Sequence, residues 1–147
     1  EFKDSYVTHV AVHAGIRETR RIKGVYTITG EDYLNAYRYQ DSISRGAHPI
    51  DIHVAKGAAQ SVTFLKTPAF VPYRALIAGN YPNLIVAGRS ISADKTAFAS
   101  LRVQASCMGM GQAAGVAAAI CAIEKCNVQE VNISVLIEKL RILGAAI

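Results

Sequence analysis

Cysteine is scarce in this chain, with three residues in 147, Cys107, Cys121 and Cys126. Their spacings match no zinc pattern and no histidine lies near them in sequence, which argues against a structural zinc site. All three fall in or just after an Ala-rich helical stretch, where cysteine behaves as a small buried hydrophobe. They leave the compartment open. Long apolar runs are also missing. The longest, Ala113 to Ile123, falls short of the ~20 residues that cross a bilayer, so no membrane span is expected. Basic residues outnumber acidic ones, 16 to 11, for a net charge of +5, but they form no run. The one cluster, Arg17, Arg20, Arg21 and Lys23, is interrupted by Glu18 and lacks the interleaved aromatics that stack bases. Nucleic acid is therefore not an expected partner. The chain opens on Glu-Phe-Lys-Asp, with neither Met nor a signal peptide, so its natural start is expected elsewhere. There is no internal repeat and no low-complexity tract.

What is present reads as globular. The chain is long enough for one ordinary core, 51% of it is hydrophobic and 18% charged, with mean hydropathy +0.21. The apolar excess gathers from Leu84 onward, which fits either surface awaiting a partner or a tightly packed core. Tyr6 to Ala14 reads as a strand by its β-branched content. Ile16 to Lys23 reads as a second strand or an irregular basic segment. Val25 to Thr29 is β-rich, and Thr29-Gly30-Glu31-Asp32 caps a short helix over Asp32 to Tyr39. A helical turn is expected at Asp41 to Arg45, then strands at Ile50 to Val54, Val62 to Leu65 and Phe70 to Leu76. Pro72 places the last at an edge or bend. Lys56 to Ser61 reads as a turn.

After the turn Gly79 to Asn83, the run Leu84 to Ala87 looks like a strand buried on both faces. A long helix follows from about Ser100 to Lys125, rich in Gly and Ala. Each interior glycine costs about 0.5–1 kcal/mol relative to Ala, so several together call for close approach of another backbone. A final amphipathic helix runs from Val131 to Leu143. The fold class expected is α/β or α+β: strand-rich with short helices over residues 1–80, then strand and helices over 81–147.

Three linked runs stand out in the second half: Asn83-Leu-Ile-Val-Ala-Gly-Arg-Ser-Ile-Ser92, Ala99-Ser-Leu-Arg-Val103 and Met110-Gly-Gln-Ala-Ala-Gly-Val-Ala-Ala-Ala119. Upstream lie Gly15-Ile-Arg-Glu-Thr-Arg-Arg-Ile-Lys-Gly24, His48-Pro-Ile-Asp-Ile-His53 and Val71-Pro-Tyr-Arg-Ala-Leu76. In this order they resemble the C-terminal portion of FAD-dependent oxidoreductases of the two-dinucleotide-binding-domain type. Some relatives with similar motifs carry a xanthan-lyase label. One departure is His48, where the family more often has tyrosine. The resemblance implies a substrate (cap) domain part over 1–80 and the C-terminal part of an FAD-binding domain over 81–147. It implies that the flavin edge meets backbone around Ser100, Leu101, Arg102 and Val103, and that Gly88 and Arg89 lie against the ribityl and phosphate region.

Elementary chemistry runs beside that resemblance. A helix N-terminus offers unpaired N–H groups and the equivalent of about half a positive charge to an electron-rich ring. The bland alternative for Gly109, Gly111 and Gly115 is tight helix packing alone. Arg17, Arg20 and Arg21 suit an anionic small-molecule substrate or flavin edge, or else form a solvated basic face. Asp51 and His53, with Tyr73 and Arg74, are the candidate proton-handling groups, since His and Tyr move protons during hydride transfer. A carboxylate beside a histidine is equally a common structural pair. His9 and His13 share a strand face but lack a third ligand, so no metal is expected.

The fingerprint G-x-G-x-x-G after a strand is absent; Gly109-Met-Gly111 continues as Gln112-Ala-Ala114. The expectation is hydride transfer through FAD in a longer protein. The missing N-terminal FAD-binding half then becomes a partner, and the chain alone binds FAD weakly or not at all. Two rivals stand beside it: polysaccharide (xanthan) lyase chemistry drafting Tyr73, His53 and Arg74, and a non-catalytic module that self-associates through exposed apolar surface.

Overall fold

The computed structural model describes residues 3–18, 20–52 and 61–147. Elements run α1 (Gly30–Leu34), β1 (Ser42–Gly46), β2 (Ile50–Ile52), β3 (Ser61–Thr63), β4 (Ala69–Pro72), α2 (Lys95–Leu101), α3 (Gln104–Glu124) and α4 (Ile133–Ile142). Single 3-10 turns stand at Tyr73–Ala75 and Gly88–Ser90. Among the described residues the strands form two antiparallel pairs, β1 with β4 and β2 with β3. Helix and strand are thus mixed around small sheets, the α+β branch of the expectation.

Both faces of the core can be traced to local signals. The β1–β4 pair sets Ser44 opposite Val71 and Gly46 opposite Ala69, and Ile43 and Val71 are fully buried. The helix α3 lies on β1, with Met110, Ala113, Ala117 and Ile120 turned inward, and α4 docks on α3 through Leu136 and Leu140. Asn132 caps α4 with its side-chain oxygen on the Ser134 and Val135 amides. Asp94 works harder. One of its oxygens caps α2 through the Ala97 amide at 2.8 Å and the other takes the Gly30 amide of α1 at 2.7 Å.

Several expectations are corrected. Tyr6 to Ala14 forms no strand and lies exposed, because β-propensity without a pairing partner holds no ladder. Ile16 to Lys23 takes its irregular alternative. The helix expected over Asp32 to Tyr39 starts earlier and stops at Leu34, with Ala36 in positive φ. The segment expected as a helical turn, Asp41 to Arg45, is instead β1, since pairing with β4 overrides local propensity. Pro72, lacking an N–H, ends β4, and the chain bends into the 3-10 turn at Tyr73.

Leu84 to Ala87 is no buried strand. It makes one antiparallel bridge, Ile77 to Ile85, and stays partly exposed for want of flanking strands. The long helix expected from Ser100 breaks at Arg102–Val103, where Val103 is extended (φ −81°, ψ 156°). The restarted helix, α3, has 21 residues and holds an 18-residue stretch of mean hydropathy 1.5, enough by length and composition to cross a membrane. Counting only Ala113 to Ile123 concealed this, because the polar residues nearer its start are uncharged. The turn expected over Lys56 to Ser61 and the end of the strand at Val54 lie outside the described residues.

Candidate functional site

The break between α2 and α3 organises the site. Asp94 fixes the start of α2, and α2 ends at Leu101 with Arg102 as its cap. Val103 then serves as the N-cap of α3, and no side chain caps that helix. Valine has no oxygen to offer the first amides, so among the described residues no side chain satisfies the N–H groups at the α3 N-terminus. Its first internal bond from beyond the opening turn runs from the Cys107 amide to the Val103 carbonyl at 3.0 Å.

A concavity of about 300 Å³ opens at this tip, lined by Arg17, His48, Asp51, Arg89, Arg102 and Gln104, among others. Three arginines, Arg17, Arg89 and Arg102, therefore line the concavity at one helix N-terminus. Two of them are partly anchored. Arg89 donates to the Ile16 carbonyl at 3.2 Å and Arg102 to the Asp51 carbonyl at 3.2 Å. The first bond holds the irregular segment bearing Arg17 against the turn at Gly88. Gly88 itself has φ +78°, a conformation that L side chains rarely adopt. It sits beside Cys107, whose thiol burial pushes up while the Arg89 cation pulls it down.

Ser100 and Leu101 lie behind this surface. Ser100 is fully buried, its hydroxyl donating to the His48 carbonyl and lying 3.1 Å from the Tyr33 hydroxyl. It ties the β1–β2 connection to α2. Leu101 fills the core. Arg89, Arg102 and Val103 are the members of the expected cofactor set that line the concavity, and Gly88 directly precedes Arg89.

Among the described residues, Asp51, Tyr73 and Arg74 of the expected proton-handling set lie apart. Asp51 lines the concavity, and also a smaller cleft beside Lys95 and Glu18. His53 lies outside the described residues. Tyr73 is buried, its hydroxyl donating to the Val128 carbonyl at 2.8 Å; burial, then Cys121 and Cys126, push its pKa up. Arg74 pairs with Asp41 through Nε at 3.0 Å and Nη2 at 3.2 Å, which raises its pKa, and it lines another groove with Tyr37 and Tyr39. Among the arginine cluster, Arg17 faces the concavity. Arg21 instead pairs with Glu18 at 3.4 Å and lies over the Phe98 ring at 5.1 Å, and Arg20 is exposed. The segment that carries these three is irregular, so no strand face gathers them.

Sequence reasoning passed over Gln104 and Cys107 as site residues and treated His48 only as a departure from pattern. Gln104 follows the helix break, which no periodicity signalled. Cys107 was readable as a residue one turn into the helix, close to any ligand at its tip.

A model of the family described as FAD dependent oxidoreductase matches residues 1–140. The chain belongs to that family. No curated protein and no solved structure matches it. The match supports an oxidoreductase-related function, and the family implies FAD. The uncapped α3 tip fits the electron-rich part of a flavin, and the three arginines around it fit an anionic group.

Proposed function

We propose that this chain forms the flavin-facing part of an FAD-dependent oxidoreductase of the two-dinucleotide-binding-domain type. It would serve hydride transfer between a small-molecule substrate and the cofactor. The observation that carries the reading is the α3 N-terminus at Val103, uncapped by any side chain and ringed by Arg17, Arg89 and Arg102. Bound FAD would supply hydride acceptance and donation. The residues here would do the rest. The amides of Gln104 and Ala105 would donate toward an electron-rich edge of the ring, and the α3 dipole would add to the field. Gly88 leaves room for a ligand beside the tip. Arg17 and Arg89 would hold an anionic group, and Asp51, which lines the same concavity, would be the carboxylate that holds or moves a proton.

The same reading assigns residues 1–80 to a substrate-side part and 81–147 to the closing part of the nucleotide domain. Sequence outside these 147 residues then grips the pyrophosphate, in keeping with the half-exposed Leu84 to Ala87 and the lack of G-x-G-x-x-G. A purified 147-residue chain carrying stoichiometric yellow cofactor would overturn this last point. The lyase alternative finds less support, because it drafts Tyr73 and Arg74, whose polar groups are engaged by Val128 and Asp41.

The test removes one amide and keeps the helix. Proline is tolerated at the first helical position, and Val103 already has the extended backbone that proline demands before it. Gln104→Pro in protein carrying bound FAD is expected to make the flavin potential more negative by on the order of 30 mV, the equivalent of one charge-assisted hydrogen bond. An unchanged potential with flavin still bound would sink the reading.

A further inference from the structure

The far end of α3 closes on a pair of cysteines. The helix ends at Glu124, and Lys125 turns left-handed (φ 53°, ψ 41°), its amide donating to the Cys121 carbonyl. The Cys126 amide donates to the same carbonyl at 3.2 Å. A six-to-one bond over a left-handed residue is the helix stop in which the side chains at those two positions meet, commonly as an apolar contact. Here both positions are cysteine. The backbone bond leaves their α-carbons no more than about 7 Å apart, and disulfides span about 4.4–6.8 Å.

Both thiols are free and half-buried. They also sense each other: burial first, then the hydrogen bond with Cys126, push the Cys121 thiol up. The segment beyond is held in place, with the Val128 amide on the Pro82 carbonyl at 3.0 Å and the Val128 carbonyl on the Tyr73 hydroxyl. Cys107 lies at the other end of the helix, roughly 21 Å away along its axis, and its thiol points toward the Leu101 carbonyl at 3.9 Å.

We infer that Cys121 and Cys126 form a reversible disulfide, a two-electron modification site apart from the flavin-facing tip. The oxidant is a low-molecular-weight disulfide such as oxidised glutathione. One protein thiolate attacks a sulfur of the oxidant, whose S–S bond breaks and releases one reduced thiol. The second protein thiolate then displaces the remaining half, forming the intramolecular S–S bond. Two protons and two electrons leave the protein and end on two molecules of reduced thiol. The raised Cys121 thiol makes exchange slow near neutral pH and faster as pH rises, because only the thiolate reacts.

The test equilibrates the folded 147-residue chain in glutathione redox buffers, quenches with acid, alkylates and maps the peptides by mass. The expected result is a Cys121–Cys126 link with Cys107 still alkylated. The equilibrium constant for the link should be on the order of tenfold larger in the folded chain than in the same chain in urea, because the helix stop preorganises the pair. Equal constants, a link through Cys107, or glutathione left on either cysteine without closure would overturn it. In a Cys126→Ser chain the closing thiol is gone, so Cys121 should accumulate as the glutathione adduct. A Cys121 that stays reduced there would overturn the exchange route.

Discussion

At the residue scale, side-chain partners decide roles that residue type alone leaves open. Tyr73 and Arg74 looked like reacting groups because tyrosine and arginine so often are. The first is turned inward onto a backbone carbonyl and the second is held by Asp41. No spacing in the sequence reveals such partners, which lie 55 and 33 residues away. Asp32 is the opposite case, a residue read only as a cap that also acts electrostatically. The Tyr26 hydroxyl donates to it at 2.6 Å, and this bond before all else holds its carboxyl below the ordinary value. A depressed carboxylate contributes stability that is present above its unfolded pKa of about 3.9 and fades as pH falls through the folded one. Urea midpoints of wild type and Asp32→Asn should therefore differ at pH 7 and converge as pH drops from about 5 to 3. A gap that stays constant with pH would assign the effect to packing.

At the element scale, the amphipathic α4 and the Ala/Gly-rich α3 announce themselves by periodicity and composition, each within a few residues of its observed bounds, and β2, β3 and β4 begin within a residue of where strands were expected. The misses, α2, β1 and the segment Tyr6 to Ala14, are elements whose state depends on what packs or pairs with them. Tyr6 to Ala14 has the right residues and no partner among the described residues, while Ser42 to Gly46 has modest ones and a partner in β4. The break at Val103 was invisible for a related reason: the apolar pattern continues straight across it. Asp94 shows how much one cap can organise. Because its two oxygens serve the first amides of both α1 and α2, Asp94→Ala should lose about 1–3 kcal/mol, more than a single cap commonly gives. Urea unfolding would check it; a loss under about 0.5 kcal/mol would mean that water replaces both bonds without cost.

At the scale of the whole molecule, α3 is only partly used. Gly109 meets β1, where an added Cβ would lie 3.1 Å from that of Ser44, so tight packing accounts for this glycine. Gly111 and Gly115 have nothing within 4 Å among the described residues, and packing among these does not account for them. In the chain alone, Gly111→Ala and Gly115→Ala should each stabilise by about 0.5–1 kcal/mol in urea unfolding, the ordinary gain for an exposed helix position. In protein that retains FAD the same changes are expected to lower flavin occupancy, because a methyl group would intrude on the covering surface. Equal gains in both settings would mean that this stripe faces water.

The interruption at Arg102–Val103 has one more consequence. It sets the carbonyl end of one helix directly against the amide end of the next, so the electric potential changes sign over a few ångströms. A compact anion, uniformly negative, gains from one side of that step and is repelled by the other. A flat conjugated molecule that is electron-rich at one edge and electron-poor a few atoms away can match both sides at once. On the proposed reading, the site would favour a ligand whose charge is spread unevenly across it, beyond the pull of its arginines on total charge.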